Sequence, residues 1–172
     1  MNSSSTPNYP QAQILVIVWI AMLSSLMIYG VILFSMLQQP VKSAPPAKEL
    51  LWILQGLGFV MAVAGLLFNR SLYNEERIRT ALKTEYDSSP GTEEVAVLAR
   101  VRRWSGRLFV FFIISFALCE MAAVFGFVAG MLSRDMMVAA PVMGIALVSL
   151  LLCFPRPNVL MKTATRISAS LG

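Results

Sequence analysis

The chain contains no histidine, so imidazole acid–base catalysis and histidine-held metal or haem are excluded. Cysteine is scarce: Cys119 and Cys153 are the only two. Both lie inside apolar stretches, which suits packing better than a disulfide or a zinc site. No glycine-rich loop followed by Lys-Ser/Thr is present to cradle a phosphate. Charge is scarcer still. Asp, Glu, Lys and Arg make up 13% of the 172 residues, against about 25% in an ordinary soluble domain. Hydrophobic residues reach 57%, and the mean hydropathy is +0.70. Such a chain cannot cover its own surface with polar groups. Soluble enzymes and nucleic-acid-binding domains are therefore excluded as classes, despite a net charge of +5 and a pI near 9.6. The sequence predicts no catalytic residue, no metal site, no cofactor and no nucleic-acid partner.

The apolar residues gather into four long runs. A membrane-crossing helix needs about 20 of them at a rise of about 1.5 Å each. Gln13–Leu37, Leu50–Phe68, Leu108–Leu132 and Met136–Phe154 each meet that need. The first run has no basic segment before it and is too long for a cleaved signal, so it reads as a retained span. The expectation is an all-α, four-span transmembrane helical bundle, with residues 1–172 forming a single membrane domain.

Lysine and arginine set the orientation. Arg70, Arg77, Arg79, Lys83, Arg100, Arg102, Arg103 and Arg107 lie between the second and third spans, and Arg156, Lys162 and Arg166 follow the fourth. Lys42, Lys48 and Arg134 are the only three on the other side. The positive-inside rule then puts the central segment and both termini in the cytoplasm of a bacterial inner membrane. Pro40, Pro45 and Pro46 make Gln38–Glu49 an extended outer connector.

The central segment, residues 69–107, reads as helical. Ser71–Asp87 alternates charges with Leu72, Ile78 and Leu82 and holds neither Gly nor Pro. Ser88-Ser89-Pro90-Gly91 breaks the chain, and Thr92 can cap a new helix with Glu93 and Glu94 in its first turn. Val95, Leu98, Val101 and Trp104 then lead into the third span. The second and third spans are thus expected to continue into the cytoplasm as an antiparallel helical hairpin, able to dock a soluble cytoplasmic partner.

One charged residue lies within the four runs: Glu120, at the midpoint of the third. A carboxylate at the bilayer centre costs about 2.5–3.5 kcal/mol on insertion scales. No Lys or Arg lies at its depth, so the neutral acid is expected unless a cation arrives. Its candidate polar company is Gln55, Ser24 and Ser25. At 100° per residue, a stripe of small residues runs along another side of the same helix: Ser115, Cys119, Ala122, Gly126 and Gly130. The second span carries Gly58, Ala62 and Gly65 in register. Small residues let membrane helices approach closely, so these two stripes are expected to meet.

The segment Ala117-Leu118-Cys119-Glu120-Met121-Ala122-Ala123-Val124-Phe125-Gly126-Phe127-Val128 resembles the ion-binding helix of the rotary ATPase proteolipid, subunit c. The resemblance implies that Glu120 matches the ion-carrying carboxylate of that family. Over its whole length the chain also resembles small four-helix bacterial membrane proteins of unassigned function. Those have a similar Ala-Leu-x-Glu helix after a basic cytoplasmic segment, and some end their last span near a Phe-Pro-Arg pattern, as Phe154-Pro155-Arg156-Pro157 does here.

Two functions stay open at this point. One is a non-enzymatic membrane subunit that binds or translocates a proton or cation through Glu120. The other is an assembly factor of a membrane complex whose cytoplasmic hairpin holds a partner. In both, the protein is expected to work in the lipid bilayer as part of a homo- or hetero-oligomer. The charge split makes a direct prediction: a cysteine placed at Ser43 is labelled from outside intact cells, while cysteines at Ser89 and Ser170 are not. External labelling at Ser89 would reverse the orientation.

Overall fold

The computed structural model describes residues 10–39, 47–88 and 94–170. Among them it shows six helices and no strand. In chain order they are α1 (Pro10–Leu37), α2 (Lys48–Leu72), α3 (Glu75–Ser88), α4 (Glu94–Ser133), α5 (Met136–Leu152) and α6 (Pro157–Ala169). The prolines of the outer connector, Lys42, the Ser89–Gly91 break, Glu93 and the Thr92 cap lie outside the described residues.

Three helices are long and apolar enough to cross a membrane: Gln13–Leu37, Lys48–Leu72 and Val101–Ser133. The apolar α5 is shorter, at 17 residues. It starts on the Asp135 side chain, which accepts the Met137 N–H at 2.8 Å, and runs through Pro141. Phe154 falls outside it.

The four apolar helices alternate in direction. At one end, Arg134 Nη1 donates to the Gln39 carbonyl at 3.1 Å, tying the end of α1 to the α4–α5 turn. Arg134 itself sits at φ 52°, the left-handed conformation that lets the chain reverse. At the other end, Trp19 Nε1 donates to the Leu150 carbonyl at 2.8 Å, and its ring meets Phe154 edge-on at 5.0 Å. That carbonyl belongs to the last turn of α5, where helix acceptors lack intrahelical partners. Helix α4 is the axis of the structure and touches every other helix.

The packing of α2 on α4 follows from missing side chains. A Cβ placed on Gly65 would lie 2.7 Å from Cys119 Sγ and 3.1 Å from the Ser115 carbonyl oxygen. One on Gly58 would lie 2.5 Å from Val142 Cγ1 and 3.3 Å from the Ala122 carbonyl. The closeness lets the Ser115 hydroxyl donate across the gap to the Gly65 carbonyl at 2.9 Å. Cys119 and Cys153 fill the same junction as free thiols, with their sulfurs 3.9 Å apart. The α4 stripe does not all face α2. Gly126 lies against Val142 and Met143 of α5, and Gly130 against Ala139 of α5 and Leu33 of α1.

At the basic end the arrangement differs from a continuous two-arm hairpin. Helix α4 does run unbroken from Glu94 into its membrane segment, but α2 stops at Leu72. The Tyr73 and Asn74 N–H groups close it on the Arg70 and Ser71 carbonyls. Asn74 Oδ1 then accepts the Glu76 N–H at 2.9 Å and caps α3 as a new helix. The Tyr73 hydroxyl accepts the Arg156 N–H at 3.1 Å, and burial pushes its pKa up.

The third member of this cap is α6, which was expected only as a tail. It begins on Pro157, whose fixed φ suits a first turn. Leu160, Ala164 and Ile167 form one buried stripe, packed with Ile78 and Leu82 of α3 and Val101 and Trp104 of α4 in one apolar core.

These contacts predict opposite outcomes for two glycines of α2. Gly65→Ala forces a methyl into Cys119 and the α4 backbone, and should cost about 1–3 kcal/mol. Gly56 has nothing within 4 Å of its added Cβ, so Gly56→Ala should be neutral or stabilise by about 0.5–1 kcal/mol. Unfolding midpoints in detergent, measured side by side, check the pair.

Candidate functional site

Glu120 sits halfway along the apolar part of α4 and is half-buried at the seam with α1. With Cys119 and Ala122 committed to the α2 side, helical geometry turns the next residue toward α1. There Ser25 and Tyr29, spaced i and i+4 and so on one face, meet it. Ser25 Oγ lies 2.7 Å from Glu120 Oε1. The Tyr29 hydroxyl reaches the same oxygen at 3.4 Å, the outer limit of a hydrogen bond. Tyr29 is held in place by Phe127, one heptad beyond Glu120, with ring centroids 5.4 Å apart.

The remaining predicted partners go elsewhere. Ser24 is exposed, and its hydroxyl donates back to the Ile20 carbonyl of its own helix at 2.9 Å. Gln55 lies on α2, which packs on another face of α4, and its Nε2 donates to the Val138 carbonyl at 3.0 Å. Of the three side chains expected beside Glu120, the structure brings only Ser25 to it. Tyr29 is the residue the sequence reading passed over. Its spacing of four from Ser25 was the available signal.

The proton arithmetic at Ser25 is the chemical core of the site. Ser25 Oγ is 2.7 Å from the Met22 carbonyl as well as 2.7 Å from Glu120 Oε1. A hydroxyl has one proton to give and two lone pairs. Facing a carboxylate, Ser25 must choose which of the two oxygens to satisfy. Facing a carboxylic acid, it accepts the Glu120 proton and gives its own to Met22, and all three oxygens are satisfied. The two distances are thus met by a neutral acid through the rotation of a single hydroxyl.

Among the described residues no second carboxylate is hydrogen-bonded to Glu120. Among the described residues no group of three or more Cys, Asp or Glu side chains could hold a metal ion. No Lys or Arg lies in the apolar runs to offer a counter-charge. Comparison with protein-family models, with curated proteins and with solved structures finds no match.

The asymmetry between the two serines is testable. Ser25→Ala removes the short contact and should destabilise the α1–α4 seam by about 0.6–1.7 kcal/mol, the span measured for interhelical hydrogen bonds in membranes. Ser24→Ala should change nothing. Detergent unfolding midpoints of the two variants supply the comparison.

Proposed function

We propose that this is a multi-pass membrane subunit in which Glu120 binds a proton reversibly at the α1–α4 seam. In this reading α1, α2, α4 and α5 are four spans of a bacterial inner membrane. The basic end, with α3, α6 and both termini, lies in the cytoplasm. The 17 residues of α5 correspond to about 25 Å, at the short end of what spans a bilayer.

The single observation that carries the reading is the position of Ser25 Oγ, equally close to Glu120 and to the Met22 carbonyl. It gives the O–H of a neutral acid an acceptor in a region without counter-charge. A proton suits the site better than a metal cation. Only four side-chain oxygens of the described residues meet there, two of the carboxyl and two hydroxyls, whereas hard divalent cations take about six or more. The resemblance of the Glu120 helix to that of the proteolipid points the same way.

The competing role, docking of a partner on an apolar face of the central segment, has less to stand on. Ile78, Leu82, Val101 and Trp104 are buried, in the same core as Leu160, Ala164 and Ile167 of α6.

A protonated carboxyl within a membrane reacts with a hydrophobic carbodiimide, and a carboxylate in water does not compete with it there. Dicyclohexylcarbodiimide should modify the protein once, at Glu120, in native membranes. Glu120→Gln should abolish that modification while leaving the extracted protein's mass and unfolding midpoint unchanged, because the amide copies the neutral acid in size and hydrogen bonding. Infrared difference spectra should show a protonated-carboxyl stretch that titrates reversibly and is missing in Glu120→Gln. Absence of both the modification and the stretch would sink the proposal.

A further inference from the structure

Where the apolar part of α2 gives way to α3, a cleft of about 160 Å³ opens between the end of α2, α3 and α4. Its floor is apolar: Phe68 and Phe111, with ring centroids 5.9 Å apart, and Leu108. The apolar run of α2 ends at Phe68 and that of α4 begins at Leu108. The cleft therefore straddles the level at which hydrocarbon meets the polar layer. It also lies at the end of the molecule that collects most of the basic residues.

Two lining residues have unspent hydrogen-bonding capacity. Trp104 is 5% exposed, yet its indole N–H has no acceptor among the described residues. A buried Trp N–H ordinarily has one. Arg77 is exposed at the rim and makes no hydrogen bond or ion pair with any described residue. An indole donor and a guanidinium lining one cleft with two phenylalanine rings call for an anionic acceptor joined to a hydrocarbon chain. A space of about 150 Å³ with apolar walls is enough for a benzene-sized group, so the cleft takes one stretch of chain and not a folded partner.

We infer that this cleft holds one anionic phospholipid of the surrounding bilayer. Its phosphate is taken by the Arg77 guanidinium and the Trp104 indole N–H, and an acyl chain lies over the Phe68–Phe111 floor. Basic pockets between membrane helices on the cytoplasmic side recognise lipid headgroups through this combination of charge and donors. The lipid seals the junction where α2 stops and α3 turns away. This inference does not depend on the role of Glu120.

The test uses the full chain in dodecylmaltoside micelles, with dioleoylphosphatidylglycerol, dioleoylphosphatidylcholine or inorganic phosphate added and native mass spectrometry counting bound molecules. One phosphatidylglycerol should be retained per chain, with phosphatidylcholine bound about tenfold more weakly and phosphate not at all. Arg77→Gln should weaken phosphatidylglycerol about tenfold, as expected for loss of a charged hydrogen bond. Trp104→Phe should weaken it severalfold. Arg79→Gln, an exposed α3 arginine that does not line the cleft, should leave it unchanged. Lipid-free unfolding midpoints establish that the variants fold. Because Arg77 is exposed, its variant keeps the test decisive even if Trp104→Phe proves unstable. Equal retention of the two lipids, equal losses in Arg77→Gln and Arg79→Gln, or phosphate binding as well as phosphatidylglycerol would each overturn the inference.

Discussion

The contact between Gly65 and the Ser115–Cys119 turn of α4 is the constraint on which the rest of this structure depends. In lipid, helices gain nothing from hiding apolar surface, and close packing must hold them together. A methyl at position 65 would fall 2.7 Å from Cys119 Sγ. Its absence lets Ser115 reach the Gly65 carbonyl, a hydrogen bond that is buried and 2.9 Å long. The same junction receives Cys153 from beyond the end of α5. Three chain segments thereby fix the rotation of α4 about its axis. Once that rotation is set, Gly126 and Gly130 have no choice but to admit α5 and Leu33 of α1, and Glu120 must face α1.

That fixed rotation explains why the acid ends up beside so little. Its company is one serine, one distant phenol and the lipid-facing flank of α1. Two interhelical hydrogen bonds at about 0.6 kcal/mol each do not offset an ionic cost of about 2.5–3.5 kcal/mol. A site built to keep a carboxylate would need a cation or several more donors. A site that accepts a neutral acid, as proposed for Glu120, needs only one hydroxyl in reach, and Ser25 lies 2.7 Å away.

The sequence carried three membrane-length apolar helices, a shorter fourth and the charge asymmetry because all depend on composition along the chain, which hydropathy reads directly. It carried the α2–α4 contact because small residues at helical spacing have few other uses in lipid. It did not separate Ser24 from Ser25, since neighbours at one depth differ only by 100° of rotation, and that rotation is set by packing. Gln55 failed for the same reason: its depth is suitable, but α2 sits on a different face of α4. The stop at Leu72 was legible in principle, because Asn74 followed by Glu75 and Glu76 is a helix-start signature. Helix α6 was legible too, in Pro157 and the 160, 164, 167 spacing, but its basic residues made it look like a solvated tail.

Trp104 and Glu120 lie on one unbroken helix, sixteen residues and about 24 Å apart. A rod of that kind would pass motion from one end to the other if it were free to slide or turn. It is not free, because the Ser115–Gly65 contact lies between the two positions and a shift of α4 there would drive its backbone into α2. Helix α1 is held differently. It packs on α4 and α5 through Trp19 at one end, Arg134 and Leu33 toward the other, and Ser25 and Tyr29 in the middle. Of these ties, only the one at Ser25 depends on where a proton sits. Under the proposed proton site, a change of protonation at Glu120 would act on this one tie of α1 and leave the Ser115–Gly65 contact between α4 and α2 untouched.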